Sequence, residues 1–191
     1  MKLVLASTSP FRKAILDKLA IKFDTASPNT DESPLDGETP QNLVERLSIA
    51  KAKAVADKTS NSLVIGSDQV SVINGEIIGK PHTHENAVKQ LQNASGKTVT
   101  FFTGLCLYNS ETQQYQSEVA LFNVVFRSLS DTQIENYLRK EEPYNCAGSF
   151  KSEALGIVLF EKLVGDDPNT LMGLPLIRLV KMLEQENFSI L

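Results

Sequence analysis

Residues 3–19 read LVLASTSPFRKAILDKL. An apolar run stops at Ala6, three small hydroxyl residues follow, and a basic amphipathic segment begins behind Pro10. Lys2 to Ala6 predicts a short buried strand, and Ser9 followed by Pro10 predicts a helix start, with serine as N-cap and proline in the first turn. Phe11, Ile15 and Leu19 recur at four-residue spacing with Leu16 beside them, giving that helix one apolar face to near Ala20. Strand, tight turn and helix in succession are the start of an α/β fold. A turn of this kind exposes unpaired backbone N–H groups at a helix start, and Ser7, Thr8 and Arg12 add hydroxyl and guanidinium donors, so an anion can be held there. The plain alternative is a capped helix with an exposed arginine. Neither GxxxxGK[ST] nor GxGxxG occurs, so no P-loop or dinucleotide fingerprint is present.

Working outward, Phe23 to Ala26 predicts a second short strand, and residues 27–40, SPNTDESPLDGETP, read as an acidic loop rich in proline and glycine. Thr39-Pro40 repeats the capping pattern and opens a long helix with Leu43, Val44, Leu47, Ala50 and Ala54 on one side. Ser62 to Gly66 predicts a buried strand, and Gln69 to Ile78 a hairpin turning on Asn74-Gly75. A helix from His84 to Asn93 follows. Lys97 to Tyr108 and Gln113 to Phe126 read as two long strands. Ser130 with Gln133 has the spacing of a capping box for the helix over residues 131–142. Residues 144–156 read as loop, Ile157 to Leu163 as a strand and Leu174 to Glu186 as a closing helix. Helices and strands mixed with hairpins predict α/β with a mixed sheet, in one domain over residues 1–191 or two lobes about a cleft. No repeat or linker divides the chain.

The 191 residues carry 19 Lys and Arg against 23 Asp and Glu, a net charge of −4. That balance disfavours non-specific binding to nucleic acid or an anionic membrane. Two cysteines without CxxC spacing, Cys106 and Cys146, suit a reducing compartment and structural roles. LVLA is too short for a signal-peptide core, and no apolar run reaches the length of a membrane span. A cytoplasmic protein with no membrane partner is the expectation.

Candidate chemistry is scattered along this frame. Asp68, in GSDQV, follows an apolar strand at the kind of position where α/β proteins place ligands. A carboxylate there can hold a divalent ion or take a proton from an attacking water; a turn-forming residue is the alternative. Glu32, in TDES, is a second carboxylate or else a solvated loop charge. Lys51 on the long helix and Lys80 in the constrained turn IGKP are cations whose meaning depends on meeting Arg12 in space. His82 and His84 form an HxH without further metal-ligand spacing and read as an exposed helix start. Nothing near Cys146 in sequence supplies a base, and Ser149 and Ser152 lack a GxSxG context.

Taken together, LASTSPFRKAIL, TDE at residues 30–32, LSIAKAKAVA, IGSDQV, GKP, FFTGL, CAGSFKSEALG and DPNTLMGLPL resemble, in order and across essentially the whole chain, the Maf-like nucleotide pyrophosphatases. The resemblance implies an elongated α/β fold with flanking helices and a central cleft, similar to the inosine triphosphate pyrophosphatases. It implies divalent-metal-dependent hydrolysis, with Mg²⁺ or Mn²⁺, of a nucleoside triphosphate to the monophosphate and pyrophosphate. Residue by residue, Ser7, Arg12, Lys51 and Lys80 would bind phosphate. Glu32 and Asp68 would organise metal and water, with Asp68 as general base. A homodimer is the family expectation.

Within the family, SDQV and SFKSEALG are similar to the branch acting on 7-methylguanosine triphosphate, the pyrimidine branch typically having a DT pair where this chain has Asp68-Gln69. That carries base recognition onto Phe11, Gln69 and Glu153. N7-methylation makes guanine cationic, so an aromatic face attracts it, and a carboxylate can accept from N1–H and the exocyclic amine. This chain departs from the branch in having Phe11 where tryptophan is common. The competing readings are a dTTP/UTP or broad-range nucleotide pyrophosphatase and a nucleotide-binding regulator of cell division. A nucleic-acid-binding module lacks the aromatic-interleaved basic stripe it would need.

Overall fold

The computed structural model describes residues 1–191. Seven strands, β1 (Lys2–Leu5), β2 (Asp24–Thr25), β3 (Ser62–Ile73), β4 (Glu76–Ile78), β5 (Thr98–Asn109), β6 (Tyr115–Phe126) and β7 (Phe160–Val164), form one sheet in the order β2-β1-β3-β5-β6-β7, with β4 on β3. β1 runs parallel to both β2 and β3, whereas β4 is antiparallel to β3 and β7 antiparallel to β6. The helices are α1 (Pro10–Leu16), α2 (Pro40–Ala56), α3 (His84–Ala94), α4 (Asp131–Glu141) and α5 (Leu176–Gln185). The expected mixed α/β class is what the chain adopts. Contacts divide it into two compact units, the first comprising Met1–Gln69, Phe102–Ala120 and Asp167–Leu191, the second Val70–Phe101 and Leu121–Asp166.

The first unit has parallel strands buried on both faces, which accounts for their unbroken apolar runs. Leu3, Leu5, Leu63, Ile65, Leu105 and Leu107 pack with Ile15 and Leu16 of α1 and Leu176, Leu179, Met182 and Leu183 of α5. The alternate residues Val4, Ala6, Val64, Cys106 and Tyr108 pack with Ala52, Val55 and Ala56 of α2. Each fully buried leucine or isoleucine contributes about 1.5–3 kcal/mol. Two glycines set how close α2 lies. A Cβ on Gly66 would fall 2.1 Å from the Ser48 carbonyl oxygen, and one on Gly104 2.1 Å from that of Val44. Any side chain there would force the helix outward.

In the second unit, Asn74 (φ 51°) and Gly75 (φ 85°) make the expected two-residue turn between β3 and β4. Ala87, Leu91 and Ala94 of α3 and Ile134, Tyr137 and Leu138 of α4 are buried. Phe150 sits edge-to-face against Phe101, Phe126 and Phe160, with ring centroids 5.6, 5.5 and 5.1 Å away. Ser130 and Gln133 form the anticipated capping box.

Two expectations are corrected, and one element had no expectation. Ser62–Gly66 and the first arm of the hairpin are one twelve-residue strand, so Asp68 lies inside β3 rather than beyond a strand end. The polar break at Ser67-Asp68 does not interrupt pairing because both side chains find buried partners. Leu155–Leu159 form a 3₁₀ turn, and the strand expected from Ile157 begins at Phe160. Pro168–Met172 form a further 3₁₀ turn capped by Asp167, whose local hydrogen bonds leave no periodic apolar signature.

Candidate active site

Four of the sequence-selected residues converge in the first unit. α2 buries the stripe Val44, Ser48, Lys51 and Val55, so Lys51 points inward and is only 5% exposed. Its Nζ donates to Asp68 Oδ1 at 2.7 Å and lies 2.6 Å from Glu32 Oε1. A lysine on an apolar helix face, bound to a buried carboxylate, is a paired charge: the pairing compensates part of the desolvation that an isolated charge would suffer. Burial pulls the Arg12 guanidinium below its ordinary pKa, while the carboxylates of Asp68 and Glu32 pull it back up. Arg12 thus belongs to the same field of two cations and two anions.

Arg12 is fixed from a distant part of the chain. Its Nε donates to the Gly173 carbonyl at 2.9 Å, and Ser67 Oγ lies 2.8 Å from the same carbonyl and 2.9 Å from that of Gly104, its single proton shared between the two. Gly173 has φ +94°, and a Cβ there would lie 3.2 Å from Arg12 Nε, so conformation and space both call for glycine. Asp167 holds the start of this segment by accepting from the Asn169 and Ile177 backbone N–H groups at 2.8 and 2.9 Å. The role of DPNTLMG in this unit is therefore to present the Gly173 carbonyl.

Ser7 is buried at the end of β1, its Oγ accepting from the Ser9 N–H at 3.1 Å while Ser9 Oγ caps Arg12 N at 3.4 Å. The Ser7 hydroxyl proton remains free to donate. Gln69 is half-buried, with Nε2 donating to Thr103 Oγ1 and the Thr170 carbonyl, both at 2.7 Å. Its amide oxygen takes no hydrogen bond within the chain. Phe11 is 44% exposed, so the ring is not part of the core. Glu32 sits on the 27–39 loop, which is tied to α2 by Arg46. That guanidinium bonds both Glu38 oxygens, at 2.6 and 2.7 Å, and the Ser33 carbonyl at 3.1 Å. Arg46 draws the Glu38 carboxyl down to about 2.

Lys80 and Glu153 belong to the second unit, both exposed. Both act on the half-buried Cys146 thiol, which burial pushes up; Glu153 raises it further and Lys80 lowers it. Cys106 is fully buried and its thiol is pushed up to about 12, consistent with a structural role. His84, expected as an exposed helix start, is instead half-buried, bridging Tyr144 Oη at 2.9 Å and Glu135 Oε2 at 3.0 Å.

For a metal, Glu32 and Asp68 offer hard oxygen donors of the kind suited to Mg²⁺ or Mn²⁺. No group of three or more His, Cys, Asp or Glu side chains is arranged to hold a metal ion by itself. The donor set fits a cation that takes one or two carboxylates and fills its remaining positions with phosphate oxygens and water. Lys51 engages one oxygen of each carboxylate, leaving Asp68 Oδ2 and Glu32 Oε2 for such an ion. Thr30 Oγ1, two residues from Glu32, is a buried side-chain oxygen without a hydrogen-bond partner.

Sequence reasoning missed Ser67, Thr103, Thr170 and Gly173, which fix the side chains above. Their only signal was membership of quoted motifs.

A mixed-sheet α/β chain that gathers Arg12 and Lys51 with Glu32 and Asp68 holds side chains of the kinds that can bind phosphate and a hard cation. The family pattern described as Maf-like protein matches residues 2–186, and this chain belongs to that family. It is 59% identical over 189 residues to the 7-methyl-GTP pyrophosphatase of Colwellia psychrerythraea (strain 34H), covering 99% of this chain and 94% of that relative. It is 58% identical over 190 residues to the 7-methyl-GTP pyrophosphatase of Vibrio vulnificus (strain CMCP6), covering 100% and 97%. Among solved structures, it is similar to a HAM1 protein from Coxiella burnetii, with 14% identity, TM-score 0.48 and coverage of 80% and 88%. It is also similar to the Staphylococcus aureus Ham1 protein, with 16% identity, TM-score 0.46 and coverage of 66% and 72%.

Proposed function

We propose that this chain hydrolyses 7-methyl-GTP to 7-methyl-GMP and pyrophosphate. The observation that carries the reading is near-full-length identity of 58–59% to two relatives bearing that name. The cation and carboxylate cluster of Arg12, Glu32, Lys51 and Asp68 supports the same chemistry.

In this reading Asp68 accepts a proton from a water that attacks the α-phosphorus. The bond from that phosphorus to the bridging oxygen breaks, and pyrophosphate leaves with the bonding electrons. Ser7, Arg12 and Lys51 stabilise charge on the phosphate oxygens. Lys80 is assigned to phosphate from its motif position. Glu32 and Asp68 would hold a divalent cation, which would supply charge neutralisation on the phosphates. The exposed Phe11 ring offers a face to the cationic base, and the free oxygen of Gln69 can accept from it. Glu153 is assigned to the guanine edge from its motif position. The reading as a regulator without turnover has less support, because a sensor has no need of a buried base.

The test is pyrophosphate release from 7-methyl-GTP, GTP, dTTP, UTP and CTP, with Mg²⁺ or Mn²⁺ and with chelator, beside Asp68→Asn. Selective turnover of 7-methyl-GTP is expected, abolished by chelator and lowered about 10²- to 10⁴-fold in the variant, the usual size of a general-base contribution. Preference for pyrimidines would discard the roles of Phe11, Gln69 and Glu153. Inorganic phosphate without pyrophosphate would discard the reaction, and no turnover would promote the binding protein.

A further inference from the structure

Gln90 on α3 has no place in the chemistry above, yet it spends both ends of its amide on two motif segments. Its Nε2 donates to the Gly79 carbonyl at 3.1 Å, in the turn that carries Lys80. Its Oε1 accepts from Ser149 Oγ at 2.5 Å, in the segment that leads to Glu153. We propose that Gln90 is a positioning residue that couples the Gly79–Pro81 turn to the Cys146–Glu153 segment, fixing Lys80 and Glu153 against each other. The inference rests on the 7-methyl-GTP reading for what those two residues bind, but the coupling itself is a property of the second unit.

Each end of the link is a place where the backbone needs an external tie. Ser149 is fully buried with φ +63° and follows Gly148 at φ +76°. Two successive left-handed residues reverse the chain, and the serine, unlike the glycine, adopts that conformation at a cost. The next residue, Phe150, is pinned in the aromatic cluster with Phe101, Phe126 and Phe160. Ser149 is therefore held by ring packing on one side and by Gln90 on the other. The turn is tied at its flanks: Ser71 Oγ donates to the Ile78 carbonyl at 2.9 Å, Asn86 Nδ2 to that of Pro81 at 3.1 Å, and the His82 N–H to that of Tyr144 at 3.0 Å. Gln90 is the contact that reaches from the Gly79 carbonyl to the strained serine. An amide is suited to this because it donates and accepts at once; a carboxylate or an apolar group of similar size would keep one link at most.

The experiment uses the full chain with Gln90→Leu, which removes both bonds, and Ser149→Ala, which removes one. Amide hydrogen exchange at the hydrogen-bonded N–H groups of His82 and Thr83, which follow the turn, and of Cys146, Ser149 and Lys151 reports the coupling without reference to activity. Gln90→Leu should speed exchange about five- to tenfold in both segments, because each loses a side-chain tie worth about 1 kcal/mol against local opening. Ser149→Ala should do so in 146–153 only. Acceleration in one segment alone with Gln90→Leu, or in neither, overturns the coupling. In turnover, Gln90→Leu should raise KM for 7-methyl-GTP several-fold with little change in kcat and narrow its preference over GTP. Loosened segments with unchanged KM and preference overturn the positioning role. Should Gln90→Leu fail to fold, Gln90→Glu, which cannot donate to Gly79, takes its place with acceleration expected at His82 and Thr83. If the wild type does not turn over 7-methyl-GTP, the functional reading fails while hydrogen exchange still decides the coupling.

Discussion

Lys51→Met tests the centre of the candidate site. The lysine side chain is 6% exposed and that of Asp68 is 10% exposed, with Nζ and Oδ1 2.7 Å apart. Methionine keeps most of the aliphatic packing on α2 and removes the ammonium. Asp68 is then a nearly buried carboxylate without its hydrogen-bonded cation, with only the field of Arg12 left to it; breaking a buried pair from one side costs about 3–5 kcal/mol. The largely exposed Glu32 loses a partner too, but an exposed pair is worth about 0–1 kcal/mol, so Asp68 dominates the sum. The double variant Lys51→Met, Asp68→Asn removes the stranded charge along with its partner and should recover most of the loss. Urea unfolding at neutral pH, with slopes compared to confirm that the denatured states match, measures both. A single-variant loss below about 1 kcal/mol, the size of a surface pair, would refute the reasoning, as would a double variant no more stable than Lys51→Met. Pyrophosphate release should be lost in both, since each lacks a proposed phosphate ligand.

Gly66→Ala places a methyl group 2.1 Å from the Ser48 carbonyl oxygen, so α2 must shift; a loss of about 1–3 kcal/mol is expected from overpacking, with turnover reduced because α2 carries Lys51. Unchanged unfolding and turnover would mean that the close approach is not needed. Glu38→Gln probes the anchor of the Glu32 loop. The carboxyl of Glu38 is lowered from 4.5 to about 2 by Arg46, so its stabilisation is present above pH 4.5 and lost as pH falls toward 2. The melting temperatures of wild type and variant should therefore differ at pH 6, draw together as pH falls below 4.5 and converge only at about pH 2 and below; a constant gap would show that Glu38 acts through packing alone.

Local rules made much of the fold legible. Ser9-Pro10, Thr39-Pro40 and Ser130 with Gln133 mark helix starts whose caps form as expected, because a cap is decided within four residues. Asn74-Gly75 likewise decides its own turn. The misreadings arose where distant partners override local pattern. Ser67-Asp68 resembles a break in a strand until Gly104, Gly173 and Lys51 satisfy its side chains, and those partners lie 37, 106 and 17 residues away. Lys51 was visible as a cation on an apolar helix, but its burial depends on a carboxylate in another element. The 3₁₀ turns at 155–159 and 168–172 carry no periodicity, and their hydrogen bonds are set by Asp167, Lys151 and Glu141 rather than by spacing.

The same long-range ties explain why the cluster's cations can be held before any substrate arrives. Arg12 and Lys51 have flexible stems, and leaving them free would put the entropy of ordering them on the binding step. Lys51 is already bound by Asp68, and Arg12 is already bound by Gly173, whose carbonyl is fixed in turn by Ser67. Electrostatic stabilisation is largest when donors need no reorganisation as charge develops. On the proposed reaction, the glycines that let α2 lie against β3 and β5, and the 3₁₀ turn that presents Gly173, are therefore part of catalysis although none of them touches a phosphate. Gly173→Ala should accordingly act on Arg12: a Cβ 3.2 Å from its Nε in a left-handed backbone must displace the guanidinium or strain the turn. Turnover should fall while far-UV circular dichroism stays native, and Arg12→Ala in the same background should add less than it does alone, because two changes acting through one contact are not additive.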